Sequence, residues 1–272
     1  MREAFGRRQR VLVALSGGVD SAVCMQIAHE TLGFDNALGV TARSETLTAR
    51  EFAEVCDLAR RQGWNHRVIE YSELEIPQYA SNPVNRCYFC KHELYSRLTA
   101  LARDSGCACV VEGSNFDDRG DYRPGMKAAG ELGTWAPLLE YEVTKAEVRE
   151  IARQFGLPIW DKPSGACLSS RFPYGTAITR EALDRVAAAE EFIKSLGFRQ
   201  VRVRHHESLA RIEVPPEDIP SFLEAGLHAR VSARLREIGY TYVTLDLAGY
   251  RSGSMNEVLR PRGIVPDQTN SA

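Results

Sequence analysis

The sequence has no long apolar run and no even set of cysteines, and each absence argues against a class of protein. No segment approaches the roughly 20 apolar residues that a membrane span needs. The apolar run at 11–15 is too short for the core of a signal peptide, although basic residues precede it. Seven cysteines scattered along the chain fit a reducing compartment better than a disulfide framework. These features predict a cytoplasmic protein.

An excess of charge of one sign is also missing. The chain has 34 Lys and Arg against 36 Asp and Glu, which gives a formal net charge of −2. This balance argues against a surface built mainly for nucleic acid, and we predict neither a nucleic-acid nor a membrane partner. The 272 residues, 44% of them hydrophobic, suffice for one large domain or two smaller ones.

Short β-branched runs alternate with amphipathic stretches in the first part of the chain. The pattern predicts strands at 11–15, 37–41, 66–70 and 107–112, and helices at 21–32, 48–62, 95–104 and 144–155. The last helix opens with a capping box, because Thr144 is followed three residues later by Glu147. Strand–helix alternation of this kind predicts an α/β fold with a doubly wound parallel sheet.

The pattern changes after a loop at 160–175 that contains prolines and glycines. Beyond it the sequence predicts a helix at 180–196, strands at 200–205 and 210–214, a helix at 216–238 that is broken near Gly226, and a strand at 241–247. We therefore predict an α/β domain at 1–170 and a small α+β domain at 171–272, which would bind substrate or form oligomers.

The stretch Ser-Gly-Gly-Val-Asp-Ser at 16–21 lies between a predicted strand and a helix. Its glycines allow a sharp turn close to a ligand, and the helix start offers N–H groups and a positive dipole end to an anion. Asp20 would repel a bare phosphate, so it makes sense mainly if Mg²⁺ is bound as well. The candidate phosphate-binding residues are Ser16, Gly17, Gly18, Val19, Asp20 and Ser21.

Three cysteines are candidate ligands or nucleophiles: Cys87 and Cys90 in a Cys-x-x-Cys pair predicted on a loop, and Cys167. The spacing is compatible with an iron–sulfur cluster, a zinc site completed by His66 or His92, a redox or catalytic thiol, or a structural role. The other cysteines fall within or beside predicted helices and strands and are expected to pack in the core: Cys24, Cys56, Cys107 and Cys109.

A basic strand face is predicted in the second half of the chain. Arg202 and Arg204 are two residues apart and share one face of a strand, with Val201 and Val203 on the other. Paired guanidinium groups suit a phosphate, so Arg202, Arg204 and Arg251 are candidate ligands of a substrate phosphate. A solvated strand face is the alternative. Glu190 and Glu191, in the long helix, are expected at the surface.

Residues 16–21 resemble the pyrophosphate loop of the PP-loop ATP pyrophosphatases. The resemblance implies cleavage of ATP to AMP and pyrophosphate, with adenylation of an oxygen that a nucleophile then displaces as AMP. The stretch Glu-Gly-Ser-Asn-Phe-Asp-Asp at 112–118 resembles one found after the fourth strand in several of these enzymes.

Four motifs in order resemble the LarE family of sulfurtransferases, which serves the nickel-pincer cofactor of lactate racemase. They lie at 16–21, 85–91, 163–175 and 246–257, so the resemblance spans nearly the whole chain. It implies adenylation of the carboxylates of pyridinium-3,5-biscarboxylic acid mononucleotide and their conversion to thiocarboxylates. Tyr88 and Phe89 would then stack on the pyridinium ring or shield the site from water.

The family resemblance implies two alternative sulfur sources. Some members sacrifice one cysteine, here Cys167, which becomes dehydroalanine. Others hold a [4Fe–4S] cluster on three cysteines, here Cys87, Cys90 and Cys167, and the presence of all three favours this type. The implied cofactors are ATP, Mg²⁺ on Asp20 and the cluster, and the implied assembly is a homo-oligomer, with a hexamer as one form. The sulfur donor is not implied.

Two other functions compete with this interpretation. A PP-loop tRNA thiolase also joins adenylation to cysteine or cluster chemistry, but it should carry a basic surface or an added RNA-binding domain. A nucleotide-sensing module would bind ATP without turnover, and Asp20 with three cysteines in candidate site loops argues against it.

Overall fold

The computed structural model describes residues 1–120, 124–163, 165–224, 226–251 and 253–262. The chain divides into two compact units, unit 1 (Met1–Gly165) and unit 2 (Ala166–Ala272). Hydrophobic clusters occupy the interior of each unit. Among the described residues, no helix is both long and apolar enough to cross a membrane.

A parallel sheet of four strands forms the centre of unit 1. Its strands are β1 (Val11–Ala14), β2 (Ala37–Arg43), β3 (Asn65–Glu70) and β4 (Val110–Val111), in the order β3-β2-β1-β4. The chain proceeds outward from β1 to β3 and then places β4 on the other side of β1. The strand order therefore reverses between β1 and β4, which is where such sheets bind ligands. This confirms the predicted doubly wound α/β fold.

Helices cover both faces of this sheet. Those described in unit 1 are α1 (Arg2–Arg8), α2 (Val19–Leu32), α3 (Ala49–Arg61), α4 (Pro77–Ala80), α5 (Arg86–Asp104), α6 (Pro124–Glu131), α7 (Pro137–Glu140) and α8 (Lys145–Gln154). Side chains alternate along β1, so that Val11 and Val13 join the core containing α2 residues while Leu12 joins the core containing α5 residues. The capping box of Thr144 and Glu147 is present at the start of α8, as predicted.

Two local features at the ends of β1 and β4 differ from the sequence-based expectation. The predicted strand at 107–112 shortens to β4, since residues 107–109 are joined to β1 only by the bonds from Ala108 N to Arg10 O and from Leu12 N to Cys109 O. Helix α1 was not predicted, and it forms because Ala4 and Phe5 are buried, with Phe5 packed edge-on against Trp135 at 4.7 Å. In both cases tertiary contacts decide the outcome.

Unit 2 contains a three-stranded sheet and helices. The strands are β5 (Arg202–His206), β6 (Leu209–Glu213) and β7 (Tyr242–Leu245), with β5 antiparallel and β7 parallel to β6. The described helices are α9 (Arg180–Ser195), α10 (Ile219–Leu223) and α11 (Leu227–Ile238). The predicted break in the helix at 216–238 is confirmed, because Gly226 has a left-handed backbone with φ of 73°.

A buried ion pair fixes α9 in unit 2 and corrects the expectation that Glu190 lies at the surface. The Glu190 side chain is 2% exposed, and Arg171 donates hydrogen bonds to both of its carboxylate oxygens at 2.7 and 2.8 Å. The backbone N–H of Val203 donates to the same carboxylate at 3.0 Å. Burial is the largest single effect and opposes ionisation, but the charge and hydrogen bonds of Arg171, the charge of Arg202 and the Val203 N–H together lower the pKa of Glu190. Glu191, its neighbour, is exposed as expected.

We predict that Glu190→Gln lowers the free energy of unfolding by about 3 kcal/mol or more, because it leaves the buried Arg171 guanidinium without its counter-charge. Urea unfolding of the full chain measures the loss, with Glu191→Gln as the matched control, expected within about 0.5 kcal/mol of the unchanged protein. Because the folded-state pKa is lowered, the stabilisation is present above the ordinary glutamate pKa and is lost as pH falls through the lowered value. Equal stability of the two variants would refute the assignment.

Candidate active site

The loop after β1 has the geometry of an anion-binding turn. Gly17 has φ of 78°, and a Cβ at this position would lie 3.2 Å from the Cβ of Val55, so a side chain would be strained in the backbone and tightly packed. The hydroxyls of Ser16 and Ser21 lie 3.2 Å apart, and the Ser21 hydroxyl donates to Gly18 O at 3.0 Å. These contacts hold the loop in one shape at the start of α2, where helix N–H groups attract negative charge.

The rest of the predicted loop places its side chains differently. Val19 begins α2 and is buried at 3% exposure, so it anchors the helix in the core and offers only its backbone to a ligand. Asp20 remains partly accessible, with 20% of its side chain exposed. Burial of Val19 therefore fixes the position of Asp20 in the first turn of α2.

The segment after β4 lies directly against this loop. A Cβ at Gly113 would come within 2.8 Å of Ser21 N, so only glycine allows this approach. Two residues on, the Asn115 side-chain amide donates to one carboxylate oxygen of Asp20 at 3.0 Å. Glu112 is 9% exposed, and burial raises its pKa although Ser114 donates two hydrogen bonds to it. The motif at 112–118 thus contributes to the same site as the motif at 16–21.

Two lysines that the sequence analysis did not single out complete this group. The Lys145 ammonium lies 2.5 Å from the second carboxylate oxygen of Asp20. Lys162 donates to the carbonyl oxygen of Gly17 at 3.2 Å and to Glu54 at 3.0 Å. Burial opposes ionisation of Glu54, but hydrogen bonds from Lys162 and Arg50 prevail and lower its pKa. The loop is therefore flanked by two cations, each partnered by a carboxylate.

A signal for Lys145 was present in the sequence. It is the first residue of α8, immediately after the Thr144 cap, where the helix dipole disfavours a positive charge. Its backbone N–H is satisfied by Asp117, which accepts it at 2.9 Å. A lysine retained at the unfavourable end of a capped helix is a reason to expect a role beyond helix stability.

The Cys-x-x-Cys pair lies in a helix, so its predicted place on a loop is wrong. Cys87 and Cys90 occupy the first turns of α5, which begins nine residues before the predicted start at 95. Arg86, only 3% exposed and hydrogen-bonded to Asn82, anchors this extra length. Residues three apart share one face of a helix. Cys87 is exposed and Cys90 partly buried, so both thiols are presented on the same side.

A buried carboxylate accompanies this thiol pair. The Cys90 thiol donates to Glu73 Oε1 at 2.8 Å, and the Tyr71 hydroxyl donates to the same oxygen at 3.1 Å. Glu73 is 4% exposed, and its Oε2 has no hydrogen-bond partner among the described residues. Burial raises the pKa of Tyr71, and the Glu73 charge adds to the effect, so this hydroxyl stays protonated. Two soft thiols on one helix face suit two ligands of an iron–sulfur cluster.

The aromatic and histidine candidates near the thiols already have partners. The Tyr88 hydroxyl donates to Glu131 at 2.6 Å, and its ring lies against Phe89 and His92 with centroids 5.6 and 5.8 Å away. His66 lies on β3, where its ring nitrogen is 2.8 Å from the Thr41 hydroxyl. Within the described part of the chain, no three His, Cys, Asp or Glu side chains form a group able to hold a metal.

The four other cysteines differ in their burial. Cys24 is fully buried, as predicted, and burial raises its pKa well above the usual thiol range. The remaining ones are only partly buried: Cys56, Cys107 and Cys109. No disulfide joins any of the seven cysteines of the chain.

In unit 2, Arg171 holds the main chain beside Cys167. Its guanidinium donates to the carbonyl oxygens of Ala166 at 2.6 Å and Cys167 at 2.9 Å. The other two guanidinium nitrogens bind Glu190 in the buried pair described above. Cys167 itself is exposed. The backbone at residue 167 is thus fixed to the core of unit 2 while the thiol faces outward, and sequence reasoning gave no signal for this contact.

The predicted basic strand face alternates as expected, with Val201 and Val203 in the core, but it is not solvated. Arg202 and Arg204 are each 6% exposed. Arg204 binds Glu213 through two hydrogen bonds of 2.9 and 2.7 Å and also donates to Ser170 O. The alternative of a solvated strand face is therefore wrong, because Glu213 neutralises the buried arginine.

The third arginine of the proposed phosphate site, Arg251, is exposed and lies 3.3 Å from the carboxylate of Glu257. Its guanidinium also donates to Gly249 O at 3.3 Å. Cys167 and these arginines belong to unit 2, whereas the phosphate loop and the Cys-x-x-Cys pair belong to unit 1. Convergence of the three thiols, and phosphate binding by the arginines, stay predictions.

Comparisons with known proteins agree with the loop geometry. No family model matches the chain. An uncharacterised protein of Synechocystis is 46% identical over 95% of this chain and 96% of its own. The pyridinium-3,5-bisthiocarboxylic acid mononucleotide synthase of Lactiplantibacillus plantarum is 42% identical over 92% of this chain and 90% of its own.

A more distant relative shares only part of the chain. The tRNA-specific 2-thiouridylase of Xanthobacter autotrophicus is 28% identical over 57% of this chain and 49% of its own. This partial match reflects the common PP-loop superfamily, whereas the synthase matches nearly end to end. The chain therefore belongs to the LarE family of sulfurtransferases, within the PP-loop ATP pyrophosphatases.

Proposed function

We propose that the protein converts the carboxylates of pyridinium-3,5-biscarboxylic acid mononucleotide to thiocarboxylates, at the expense of ATP, in nickel-pincer cofactor synthesis. The observation that carries the proposal is the Ser-Gly-Gly-Val-Asp-Ser loop at the start of α2, in a chain that is 42% identical to the synthase over 92% of its length. That relative is named for its bisthiocarboxylic acid product. The corresponding substrate has a carboxylate in place of each thiocarboxylate.

Adenylation is needed because a carboxylate cannot expel oxide when sulfur attacks. Transfer of AMP to one carboxylate oxygen releases pyrophosphate and provides AMP as a leaving group. The hydroxyls of Ser16 and Ser21 and the N–H groups at the start of α2 would bind the pyrophosphate. Lys145 and Lys162 would supply positive charge where negative charge builds up on the departing group.

Asp20 would hold Mg²⁺, a hard cation that prefers carboxylate oxygens and offsets phosphate charge. Both oxygens of Asp20 already accept hydrogen bonds, from Asn115 and Lys145. The ion would therefore compete with Lys145 for the carboxylate. Lys145 would then turn its ammonium toward the phosphates, where it would add positive charge beside Asp20.

Cys87, Cys90 and Cys167 would hold a [4Fe–4S] cluster, which supplies sulfide as the nucleophile when it is bound. The alternative is that Cys167 gives up its own sulfur. In either case we assign sulfur transfer to Cys167, and Arg171 is a positioning residue because it holds the carbonyl groups of Ala166 and Cys167. Sulfur attack on the adenylate needs no dedicated general base, because a thiolate or hydrosulfide is already a strong nucleophile.

The mononucleotide phosphate would be bound by Arg202, Arg204 and Arg251. Arg251 is the most accessible of the three, and a substrate phosphate would displace Glu257 from it. The buried Arg204 is neutralised by Glu213, so it would contribute mainly by fixing the strand and the main chain at Ser170 beside the phosphate. We also propose a homo-oligomer, whose interface would lie near this face.

We expect the anaerobically purified protein to release pyrophosphate from ATP and Mg²⁺ when the pyridinium mononucleotide is added. Mass spectrometry should show that sulfur replaces one oxygen of each carboxylate. In a parallel reaction unmodified tRNA replaces the mononucleotide and should give neither product. Thiolation of tRNA, with no reaction of the mononucleotide, would show that the protein is a tRNA thiolase. ATP binding without pyrophosphate release would show that it is a nucleotide sensor.

We predict that Lys145→Met lowers the rate of substrate-dependent pyrophosphate release by about 10²-fold or more, because charge stabilisation at the leaving group is lost. Arg153→Met is the matched control, since Arg153 is an exposed cation on the same helix, paired with Glu150. The control should stay within about twofold of the unchanged protein. Similar rates of pyrophosphate release in the two variants would refute the proposed role of Lys145.

A single turnover without added sulfide distinguishes the two sulfur sources. If the sulfur is external to the polypeptide, the chain mass should be unchanged after one thiocarboxylate forms, and this is the expected result. Loss of the mass of H₂S at residue 167 would identify sacrifice. Cys167→Ala should stop sulfur transfer by either route and keep pyrophosphate release, because adenylation does not use the Cys167 thiol. Normal thiolation by this variant would contradict the role of Cys167.

A further inference from the structure

A second polar pocket opens at the other end of β1, away from the phosphate loop. It has a volume of about 600 Å³ and lies where the chain enters β1 and β4. Its wall includes Arg8, Arg10 and Arg103, together with Cys107 and Cys109. The candidate active site described above follows the carboxyl ends of the same strands, so β1 separates the two sites.

The pocket wall is positively charged. Three arginines line it, and none of the described lining residues is Asp or Glu. Arg103 lies 3.9 Å from the carboxylate of Asp104, and both side chains are largely exposed. A concave surface of one sign concentrates ions of the other sign. The lining therefore selects for an anion.

One guanidinium nitrogen in this wall is buried without a partner. The Nε of Arg10 is shielded from solvent and has no hydrogen-bond acceptor among the described residues. Buried donors are nearly always paired, so an orphaned one in an arginine that lines a pocket is a reason to expect an acceptor beside that side chain. Burial raises the pKa of Cys107 and the nearby charge of Arg10 opposes this rise, so the thiol lies close to the Arg10 side chain.

The backbone holds two of the arginines in fixed positions. Gln9 has φ of 61°, and Arg10 N donates to Arg8 O at 2.6 Å, which is a tight γ-turn in the strained, positive-φ form. The Arg8 guanidinium lies 3.5 Å from the ring centre of Trp135 and donates to Ala4 O at 2.9 Å. Strain of this kind persists where it places a functional group. Arg8 and Arg10 are thus set before any ligand arrives.

We propose that this pocket is a second anion-binding site, which takes a small phosphorylated molecule. Guanidinium forks match phosphate oxygens, and the volume is that of a small-molecule site. Cys107 and Cys109 serve as local reporters of occupancy, because both are partly buried in the wall. The site is independent of the sulfurtransferase activity proposed above, since it uses none of the same side chains.

Alkylation of Cys107 and Cys109 by iodoacetamide, followed by peptide mass mapping, tests this site with inorganic pyrophosphate as the probe. Saturating pyrophosphate should slow alkylation of both thiols in the unchanged protein. In Arg10→Met the apparent affinity for pyrophosphate, read from the protection curve, should fall about tenfold or more, since a charge-assisted contact is lost. Each variant is compared with itself with and without pyrophosphate, so a change in basal reactivity does not matter.

Controls separate this site from the phosphate loop. Arg7 is an exposed arginine on α1 that lies outside the pocket wall. In Arg7→Met, pyrophosphate should protect both thiols as well as it does in the unchanged protein. Lys145→Met should also keep protection, whereas Arg8→Met should lose it and serves if Arg10→Met fails to fold. Lack of protection in the unchanged protein, undiminished protection in both pocket variants, or loss of protection in Lys145→Met would each overturn the proposal.

Discussion

The candidate active site depends on a close approach between two backbones, that of Gly113 and that of the first turn of α2. Any side chain at residue 113 would place its Cβ 2.8 Å from Ser21 N. Because glycine has none, the segment after β4 lies against the loop after β1, and Asn115 reaches Asp20. Asp20 in turn contacts Lys145 at the start of α8. Three segments that are distant in sequence are joined in this way at the point where the strand order reverses.

The charges around the loop balance one another before any nucleotide is present. Lys145 is paired with Asp20 and Lys162 with Glu54. Two cations therefore lie beside the same turn, and a carboxylate neutralises the charge of each. The carboxylates thereby keep the lysines in place, and phosphate groups would take over as their partners.

The sequence predicted the loop at 16–21 better than it predicted the residues that surround the loop. The α/β fold and the loop at 16–21 were accessible, because hydrophobic period and glycine placement are local properties. The start of α5 was missed because Arg86 and Asn82 stabilise it through a contact outside the helix. Burial of Glu190 and Arg204 was missed because each needs a counter-charge, Arg171 or Glu213, that no sequence period reveals. Lys162 reaches Gly17 across 145 positions, and no pattern connects them.

The contact of Arg171 with the main chain has a consequence for the lifetime of the protein. Its guanidinium binds the carbonyl oxygens of Ala166 and Cys167, not the sulfur. Oxidation, alkylation or elimination at that side chain would leave these bonds intact. A copy altered at this thiol would therefore keep the main chain at residue 167 bound to Arg171 and, through it, to Glu190 of α9. The lifetime of the folded protein would not depend on the chemical state of the thiol.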